Sequence, residues 1–476
     1  MNRSPWQTPF ALALLAGALG LLWWTAEPRL WAIRLMAGSP PRRSLLGVSL
    51  FELTEAIHAT LPFLAWIALG GVLLSGLAAR RRPELLGFVT VLTVTALLYG
   101  LSASLVIREQ SGAPHYVYLA DAFLHGRVTL AERPPNFQEN DWTLYQGEWS
   151  VSFPPAPALL MLPFVALFGL AFNDVLFTLL LGALNVALFY QLLPRVGENV
   201  ERPFPFGSGA RLALTAAFGL GAPHWWLAVN GQVWFTAQIV ATTFLLLTLL
   251  EVLGPGRPLW TGLWLALAAL ARPPILLALP ALAWLLARKR PGKALWPGLI
   301  PLGVTGLLMG WYNLARYGNP LDLGYGHMEL EELLARRVRA HGHFSLVYLR
   351  ENLVNAFTKL PTWRKQAPWL VADGWGLSLP LSAPVLLAGL RAPWRERLAQ
   401  AMLLAALLVA IPNLLYYNTG YLQSSYRYAL DFLPFLFVLV ALGMKGRLSW
   451  WSAGLVLLSI VMGFLAQLNF ILLAFG

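Results

Sequence analysis

The chain has 476 residues, of which 58% are hydrophobic, 13% aromatic and only 12% charged, and its mean hydropathy is +0.61. Soluble domains carry about 25% charged residues, so this composition excludes a soluble globular protein and predicts a polytopic membrane protein. The net charge of +12 does not indicate nucleic-acid binding, because the basic residues fall mostly in short turns between apolar runs. Since the sequence contains no cysteine, disulfides, thiolate catalysis and cysteine metal sites are excluded.

The apolar runs predict an all-α fold with about thirteen transmembrane helices, joined on the external side by loops that carry short interfacial helices. The first run, from Phe10 to Trp24, follows Arg3 without a clear small-residue cleavage site, so we expect an uncleaved span rather than a signal peptide. The clear candidate spans are 9–25, 52–79, 85–107, 174–192, 210–228, 232–252, 294–313, 376–391, 398–416, 428–444 and 449–474.

Two further apolar stretches leave alternatives open. Residues 153–171 either cross the bilayer or only dip into it, and residues 257–290 form either one long helix broken at Arg272-Pro273-Pro274 or a tight hairpin. Both choices give about thirteen spans. Basic clusters should face the cytoplasm. A non-spanning 153–171 with a hairpin at 257–290 also places four further arginines there, so we prefer it; they are Arg195, Arg202, Arg211 and Arg257.

Three segments share the external side in either arrangement, namely 108–152, 314–375 and 417–427. The stretch from Glu329 to Arg339 has an amphipathic pattern, with Glu332 and Arg336 at i,i+4, which is typical of a helix on the lipid headgroups. We divide the chain into an N-terminal two-span segment 1–84, a core 85–313 that includes loop 108–152, an external loop 314–375 and a C-terminal four-span segment 376–476.

The first external loop carries the candidate carboxylates. After Pro114 it is predicted to be helical, which places Tyr118 and Asp121 on one face. A carboxylate at a partly apolar membrane face can act as a general base, because burial raises its pKa. The alternative is that these acids are solvated charges or helix caps. The loop's later acids are Glu132, Glu139, Asp141 and Glu148.

An aromatic run joins two spans on the same side. Trp225, Trp226 and Gln232 suggest a sugar platform, in which aromatic rings stack on a pyranose and the amide offers hydrogen bonds. Tryptophan is also enriched at membrane interfaces without any binding role, and this alternative stays open.

Three arginines predict an anion site at the same level. Arg272 lies within an apolar stretch, where an unpaired arginine costs about 2.5–3.5 kcal/mol on insertion scales. Arg316 and Arg427 flank spans on the external side, and three guanidinium groups at one depth would clamp a phosphate. The alternatives are snorkelling arginines and a local ion pair with Asp431.

Absent motifs exclude two classes of enzyme. The sequence has no Gly-rich phosphate loop ending in Lys-Ser/Thr, so it encodes no NTP-driven pump. It also lacks HExxH, and its seven histidines show no zinc-ligand spacing.

The order of motifs over about residues 85–445 resembles the GT-C superfamily, the multi-span glycosyltransferases that use polyprenyl-phosphate-linked sugars, and within it a little-characterised bacterial branch. The likeness is carried by Tyr116 to Ala120, Pro154-Pro155 before a run ending Phe168-Gly169, Ala271-Arg272-Pro273, Tyr317 to Tyr325, and Tyr426 to Pro434. At the place of the superfamily's acidic pair this sequence reads Gly112-Ala113. The nearest substitutes for the catalytic base are Glu109, His115 and Asp121, and Asp121 ranks first because it shares a helix with Tyr118.

The resemblance implies an inverting transferase in a bacterial cytoplasmic membrane, acting at the external face. Its donor would be a polyprenyl-phosphate-linked sugar, its acceptor a hydroxyl of a glycan, lipid or protein, and its surroundings membrane lipid. Arg272, Arg316 and Arg427 would hold the donor phosphate, while Tyr118, Trp225, Trp226, Gln232 and Tyr325 would contact sugar or acceptor. A divalent metal, Mg²⁺ or Mn²⁺, would be optional, because arginine can neutralise the leaving phosphate. The alternatives are a non-catalytic lipid-linked glycan transporter or binding protein, and an oligosaccharide ligase or polymerase.

Overall fold

The structure is a computed structural model, and it describes residues 12–23, 44–45, 48–135, 141–290, 292–363, 365, 370–371 and 373–475. The α-helices are α1 Leu12–Trp23, α2 Leu50–Arg81, α3 Leu86–Ser102, α4 His115–Leu124, α5 Ala156–Phe168, α6 Asp174–Glu198, α7 Ser208–Leu220, α8 His224–Ala228, α9 Val233–Leu253, α10 Pro258–Ala269, α11 Leu279–Lys289, α12 Leu299–Tyr317, α13 Glu332–His341, α14 Leu349–Leu353, α15 Leu379–Ser382, α16 Arg397–Leu414, α17 Leu433–Met444 and α18 Trp450–Phe475. Short 3-10 helices occupy Pro83–Leu85, Gly169–Ala171, Pro273–Ala278, Gly292–Gly298, Tyr325–His327, Leu346–Tyr348, Pro384–Arg391 and Arg427–Asp431, and a π-helix occupies Val354–Thr358. The strands form three two-stranded antiparallel hairpins, β1 Ser44–Leu45 with β2 Val48–Ser49, β3 Thr143–Tyr145 with β4 Glu148–Ser150, and β5 Thr362–Trp363 with β6 Leu370–Val371.

The high helical content and the long apolar helices are those of an all-α membrane protein. Among the described residues, seven helices are long and apolar enough to cross a membrane: Thr54–Arg81, Pro83–Ser102, Asp174–Glu198, Val233–Leu253, Gly292–Tyr317, Arg397–Leu414 and Trp450–Leu468. Shorter apolar helices occupy Leu12–Trp23, Ala156–Ala171, Pro258–Ala269 and Leu433–Met444. The predicted total of about thirteen spans stays a prediction.

Three of the predicted cytoplasmic basic clusters meet at one end of the bundle, which we call the basic end. Lys289 Nζ donates a hydrogen bond to Leu253 O over 2.9 Å at the end of α9. Glu396, between Arg395 and Arg397, accepts a hydrogen bond from Glu201 N just beyond α6. The carbonyl of Gly446, between Lys445 and Arg447, accepts from Gly207 N over 3.0 Å. Because α6 and α9 both end there, the long loops lie at the opposite end, which we call the loop end.

Residues 257–290 form the hairpin that the charge argument favours. The helix α10 starts just after Gly254, and Lys289 at the end of α11 bonds to Leu253 and Gly254, so the two helices run in opposite directions. The turn at Arg272 is extended and is followed by Pro273 and Pro274, which remove two backbone donors and stop the helix. This turn lies at the loop end.

Both ends of the helix α5 lie at the same end of the bundle. Its first residue, Ala156, donates its N–H to Leu270 O near the turn of the hairpin. Beyond its last turn, Leu170 O accepts a hydrogen bond from the Gln110 side chain over 2.9 Å. Both contacts lie at the loop end, so α5 does not carry the chain across the bundle, as preferred for 153–171.

The loop end holds the short helices that the sequence predicts. The helix α4 begins after Pro114, which is its N-cap. In α13 the predicted i,i+4 pair forms, with Arg336 Nε 2.8 Å from Glu332 Oε1. Between them the β3–β4 hairpin turns at Gln146 and Gly147, and both have the positive φ that a tight two-residue turn requires.

Two apolar clusters hold these parts together. The larger cluster lies inside the bundle, where Tyr99, Phe189, Phe218 and Phe437 are fully buried. A smaller cluster around the fully buried Trp142 packs the first loop against α5 and α9. The loop is therefore fixed against the bundle at the point where the cavity described next begins.

Candidate functional site

A cavity of about 480 Å³ opens at the loop end. All three segments that were predicted to share one side of the membrane contribute to it, together with α9 and the turn of the α10–α11 hairpin. Its volume is within the range of small-molecule sites. The lining residues are Asp141, Phe153, Pro154, Trp234, Ala237, Gln238, Ala271, Arg272, Pro273, Pro274, Leu321, Asp322, Leu323, Tyr325, Gly326, His343, Phe344, Pro412, Asn413, Tyr416, Tyr417, Asn418, Arg427 and Tyr428.

Asp141 supplies a carboxylate from the first loop to this cavity. One of its oxygens accepts a 2.7 Å hydrogen bond from Trp234 Nε1 at the start of α9. Its backbone has φ +59°, a conformation that aspartate tolerates better than most residues, and its N–H donates to Glu329 O. Burial raises the pKa of Asp141 to about 6, although the Trp234 hydrogen bond and the charge of Arg427 act in the opposite direction. A carboxyl group with this pKa is suited to accept a proton near neutral pH.

Arg427 supplies the cavity's uncompensated positive charge. The residue is 5% exposed, and within the described part of the chain its Nε has no hydrogen-bond partner and no carboxylate lies within ion-pair distance. Its guanidinium lies 5.8 Å from the centroid of the Trp234 ring and 5.2 Å from that of Tyr428. Trp234 is thus in contact with both Asp141 and Arg427. A buried, unpaired guanidinium is costly unless an anion binds it.

Gln238 presents a free acceptor one turn further along α9. Its amide nitrogen donates 2.9 Å to the carbonyl of Arg427, which fixes the orientation of the amide. The residue is 1% exposed, and its Oε1 has no partner among the described residues. The cavity therefore holds an unpartnered donor and an unpartnered acceptor on adjoining side chains.

Arg272 also lines the cavity, but its charge is already balanced. Its Nη2 and Nε lie 2.7 and 3.0 Å from the two oxygens of Asp431, which is fully buried. Asn413 bridges the pair, donating 3.1 Å to Asp431 and accepting from Arg272. The ion pair considered for Arg427 and Asp431 therefore forms with Arg272 instead, and this leaves Arg427 as the arginine able to bind an anion.

One part of the cavity wall is aromatic and its rim is apolar. Tyr325, for which the resemblance implies a sugar or acceptor contact, lines it, and burial raises the pKa of its phenol to about 12, so this group stays a neutral donor. At the rim Leu321 is 86% and Phe344 59% exposed. Exposed apolar side chains next to buried charge favour an amphiphilic ligand.

The third predicted phosphate ligand, Arg316, lies outside the cavity lining. It is 6% exposed, and its guanidinium donates to Val151 O, Asn313 Oδ1 and Tyr317 Oη over 2.5 to 3.0 Å. It also stacks on the Tyr312 ring at 3.7 Å. These bonds occupy the guanidinium and tie α12 to the β3–β4 hairpin.

The structure does not bring the predicted bases to the cavity. Glu109 is exposed, and Asp121 lies on α4 beside His125, with 3.6 Å between the charged atoms. His115 is buried and stacks on Trp142 with 3.6 Å between ring centroids, and Tyr118 packs edge-on against the same ring. Tyr118 and Asp121 both lie on α4 as predicted, but neither lines the cavity.

The residues predicted to form a sugar platform also lie outside the cavity. Trp225 is buried against Tyr99 and donates to Ser102, and Trp226 is buried and donates to Leu422 O. Gln232 is the N-cap residue of α9 and does not line the cavity. Ala113, where the superfamily's acidic pair is expected, is buried in the apolar cluster around Trp142.

Asp141 and Gln238 are the functional candidates that sequence reasoning ranked too low or missed. In the sequence Asp141 is one of several acids of the first loop, and no local pattern distinguishes it from the others. Another of these acids, Glu139, lies outside the described residues. Gln238 carried a signal, since an amide inside an apolar span is rare and marks a polar pathway or a helix contact.

Among the described residues no group of three or more His, Cys, Asp and Glu side chains is placed to hold a metal ion. Use of Mg²⁺ or Mn²⁺ stays a prediction, and no step below depends on it. In comparisons with protein-family models, curated proteins and solved structures, none matches this chain.

Proposed function

We propose that this chain is a membrane glycosyltransferase that moves a sugar from a polyprenyl-phosphate donor to an acceptor hydroxyl. The observation that carries the proposal is a pair of atoms in the cavity, Arg427 Nε and Gln238 Oε1, that have no hydrogen-bond partner among the described residues. A phosphate oxygen accepts from the first, and a sugar hydroxyl donates to the second. A sugar phosphate satisfies both and removes the cost of leaving them buried and unpaired.

The apolar rim favours a lipid-linked donor over a soluble one. A polyprenyl chain leaving the phosphate past Leu321 and Phe344 would cover side chains that are 86% and 59% exposed. Because the basic end should face the cytoplasm, the cavity would open at the external face of a bacterial cytoplasmic membrane.

Asp141 is the base in the proposed reaction. As the acceptor oxygen forms its bond to the anomeric carbon, the hydroxyl proton passes to the Asp141 carboxylate. The bond between the anomeric carbon and the phosphate oxygen breaks, and its electron pair leaves with the polyprenyl phosphate. Arg427 stabilises the charge that develops on this leaving group. Attack from the face opposite the phosphate inverts the anomeric configuration.

The test separates phosphate binding from proton transfer in purified protein in nanodiscs. Arg427→Gln should weaken binding of a polyprenyl phosphate by about 10- to 150-fold, the loss expected for a charged hydrogen bond. Arg108→Gln, which removes an exposed arginine outside the cavity, is the matched control. Equal affinity of the Arg427 variant and the wild type would contradict the assignment of the phosphate site.

Asp141→Asn should keep the lipid-phosphate affinity and stop release of polyprenyl phosphate from sugar-linked donors. Asp121→Asn and Glu109→Gln remove carboxylates outside the cavity and should leave turnover intact. If the wild type binds the donors without turnover, the transporter or binding-protein alternative replaces the transferase.

A further inference from the structure

A second groove, distinct from the cavity, lies behind the loop that carries Tyr417 and Asn418. Its volume is about 570 Å³. Asn418 faces the cavity whereas the next residue, Thr419, faces the groove, so the chain at this point separates the two spaces. We call it the Trp375 groove, and its lining residues are Val347, Arg350, Glu351, Val354, Asn355, Lys359, Trp375 and Thr419.

Two neutral polar atoms in this groove have no partner among the described residues. They are Asn355 Oδ1, on a side chain that is 6% exposed, and Thr419 Oγ1, on one that is 2% exposed. Buried hydroxyl and amide groups are nearly always hydrogen-bonded in folded proteins, so each is a position at which a ligand can bond. Both accept a hydrogen bond from a hydroxyl, and Thr419 can donate one as well.

The groove's charges are largely compensated by protein groups. Lys359 Nζ lies 2.8 Å from Asp373 Oδ1, and Glu351 lies 2.6 Å from Arg337. The exposed Arg350 also lines the groove, and among the described residues it has no ion pair. Trp375 is half-buried and is held edge-on by Tyr421, with 5.1 Å between ring centroids. A fixed indole beside neutral acceptors fits a hydroxyl-rich ring that can stack on it.

One buried amide connects this groove to the phosphate site. The Gln423 side-chain nitrogen donates to Trp375 O over 3.0 Å and to Thr419 O over 2.9 Å. Its oxygen accepts from Arg427 N over 3.0 Å. The backbone of the groove and that of the cavity's free arginine are thus held by the same side chain, which is 2% exposed.

We propose that the Trp375 groove binds the non-reacting part of a saccharide acceptor, with one sugar ring on Trp375 and hydroxyls bonded to Asn355 and Thr419. That this saccharide is the acceptor rests on the proposed function, whereas saccharide binding itself rests on the groove alone. Of the three acceptor classes considered, which are a glycan, a lipid and a protein, this groove favours a glycan.

Binding of defined oligosaccharides to the protein in nanodiscs tests this, measured by saturation-transfer NMR. The panel holds β-glucan, mannan, galactan and chitin fragments of four to six sugars. At least one should bind, and Trp375→Ala should weaken it about tenfold or more. Trp363→Ala is the matched control, because Trp363 is 71% exposed and lies outside the groove.

Thr419→Val distinguishes binding from a structural role. Since its buried hydroxyl has no partner among the described residues, the isosteric valine should keep or raise the melting temperature while weakening saccharide binding about two- to tenfold, and Thr419→Ser should restore affinity. A panel that does not bind, or binding that is indifferent to Trp375 and Thr419, overturns the proposal.

Polyprenyl-phosphate binding is measured on the same samples. Trp375→Ala should leave it intact, and Arg427→Gln should weaken it by about 10- to 150-fold. Saccharide binding that depends on Trp375 in a protein without lipid-phosphate affinity would refute the transferase and the acceptor role together, and leave a carbohydrate site.

Discussion

Asp141 and Arg427 are placed in one cavity by a tryptophan that neither neighbours in sequence. Trp234 donates to the carboxylate, and its ring lies beside the guanidinium. The two opposite charges are thereby held near each other without a direct ion pair among the described contacts. A direct pair would lower the pKa of Asp141 and neutralise Arg427. The observed arrangement keeps the pKa of the Asp141 carboxyl group near neutral pH and leaves Arg427 without an ion pair among the described residues.

The raised pKa of Asp141 predicts a specific dependence of stability on pH. Because the folded-state pKa of about 6 exceeds the unfolded value of 3.8, the folded protein binds more protons between these values. Its stabilising contribution is complete below about pH 4 and is lost as the pH rises through about 6. The melting temperature of the wild type should therefore fall relative to that of Asp141→Asn over this window.

Asp322 provides a control of opposite sign. Burial raises its pKa, but the hydrogen bonds from Gly324 N and His327 outweigh burial and lower the pKa overall. The stabilising contribution of Asp322 is complete above its unfolded pKa of 3.8 and is lost as the pH falls below it. The melting temperature of the wild type should therefore fall relative to that of Asp322→Asn as the pH drops below about 4. A difference in melting temperature between the wild type and Asp141→Asn that stays constant between pH 4 and 6.5 would contradict the burial of this carboxylate.

At the scale of elements, the α10–α11 hairpin is anchored to the α16–α17 connection by Arg272 and Asp431. This buried pair spans 159 residues of sequence and is bidentate. The hairpin turn supplies Ala271 to Pro274 to the cavity, so the pair positions that wall. We therefore assign Arg272 a positioning role and leave phosphate binding to Arg427.

Arg272→Ala should destabilise the protein by about 3–5 kcal/mol, since Asp431 would remain buried and unpaired. Arg272→Met with Asp431→Leu should cost less than Arg272→Ala alone, because neither charge is then left behind. Arg336→Ala breaks the exposed pair with Glu332 and should leave the stability almost unchanged. Unfolding in detergent measures all three, and a loss for Arg272→Ala no larger than for Arg336→Ala would refute the anchor.

The sequence predicted where the helices and turns lie in the chain better than the direction in which each helix face points. Pro114 and the i,i+4 charges located α4 and α13, and Arg272-Pro273-Pro274 located the hairpin turn, because these signals are local. The direction in which α4 presents Asp121 depends on packing around Trp142, which periodicity does not encode. For the same reason Trp225 and Trp226 could be assigned to the interface but not to a core or a cavity.

Contacts between distant residues explain why the candidate site was only partly predicted. Arg427 and Tyr325 were identified from residue type and from the resemblance, and both line the cavity. Asp141 could not be distinguished from the other loop acids, because its bond to Trp234 joins residues 93 apart. The pairing that removed Arg272 from phosphate binding is likewise invisible in a single sequence.

In the whole molecule, three basic clusters and the two cavities lie at opposite ends of the bundle. The basic end collects Lys289, Glu396 with its neighbouring arginines, and Gly446 with its neighbouring basic residues. The loop end collects the cavity and the Trp375 groove. A donor held in the membrane and an acceptor arriving from solution would thus meet at one face.

Because the chain has no cysteine, single cysteines report this topology without background. An impermeant thiol reagent added outside cells should label Glu132→Cys, Glu331→Cys and Tyr421→Cys, which replace exposed residues of the three loop segments. It should label Arg290→Cys and Arg447→Cys only after permeabilisation. Labelling of the three loop positions from different sides would contradict the arrangement.

We propose that the cavity at the loop end binds a lipid-linked phosphate at Arg427, opposite a carboxylate, and an experimental structure of the protein in nanodiscs with a polyprenyl phosphate bound tests this proposal. We expect the phosphate on Arg427 Nε, the prenyl chain past Leu321 and Phe344, and Asp141 across a space about one sugar wide. A phosphate seated on Arg316 or outside the cavity, or an Asp141 carboxylate turned away from it, would refute the proposal.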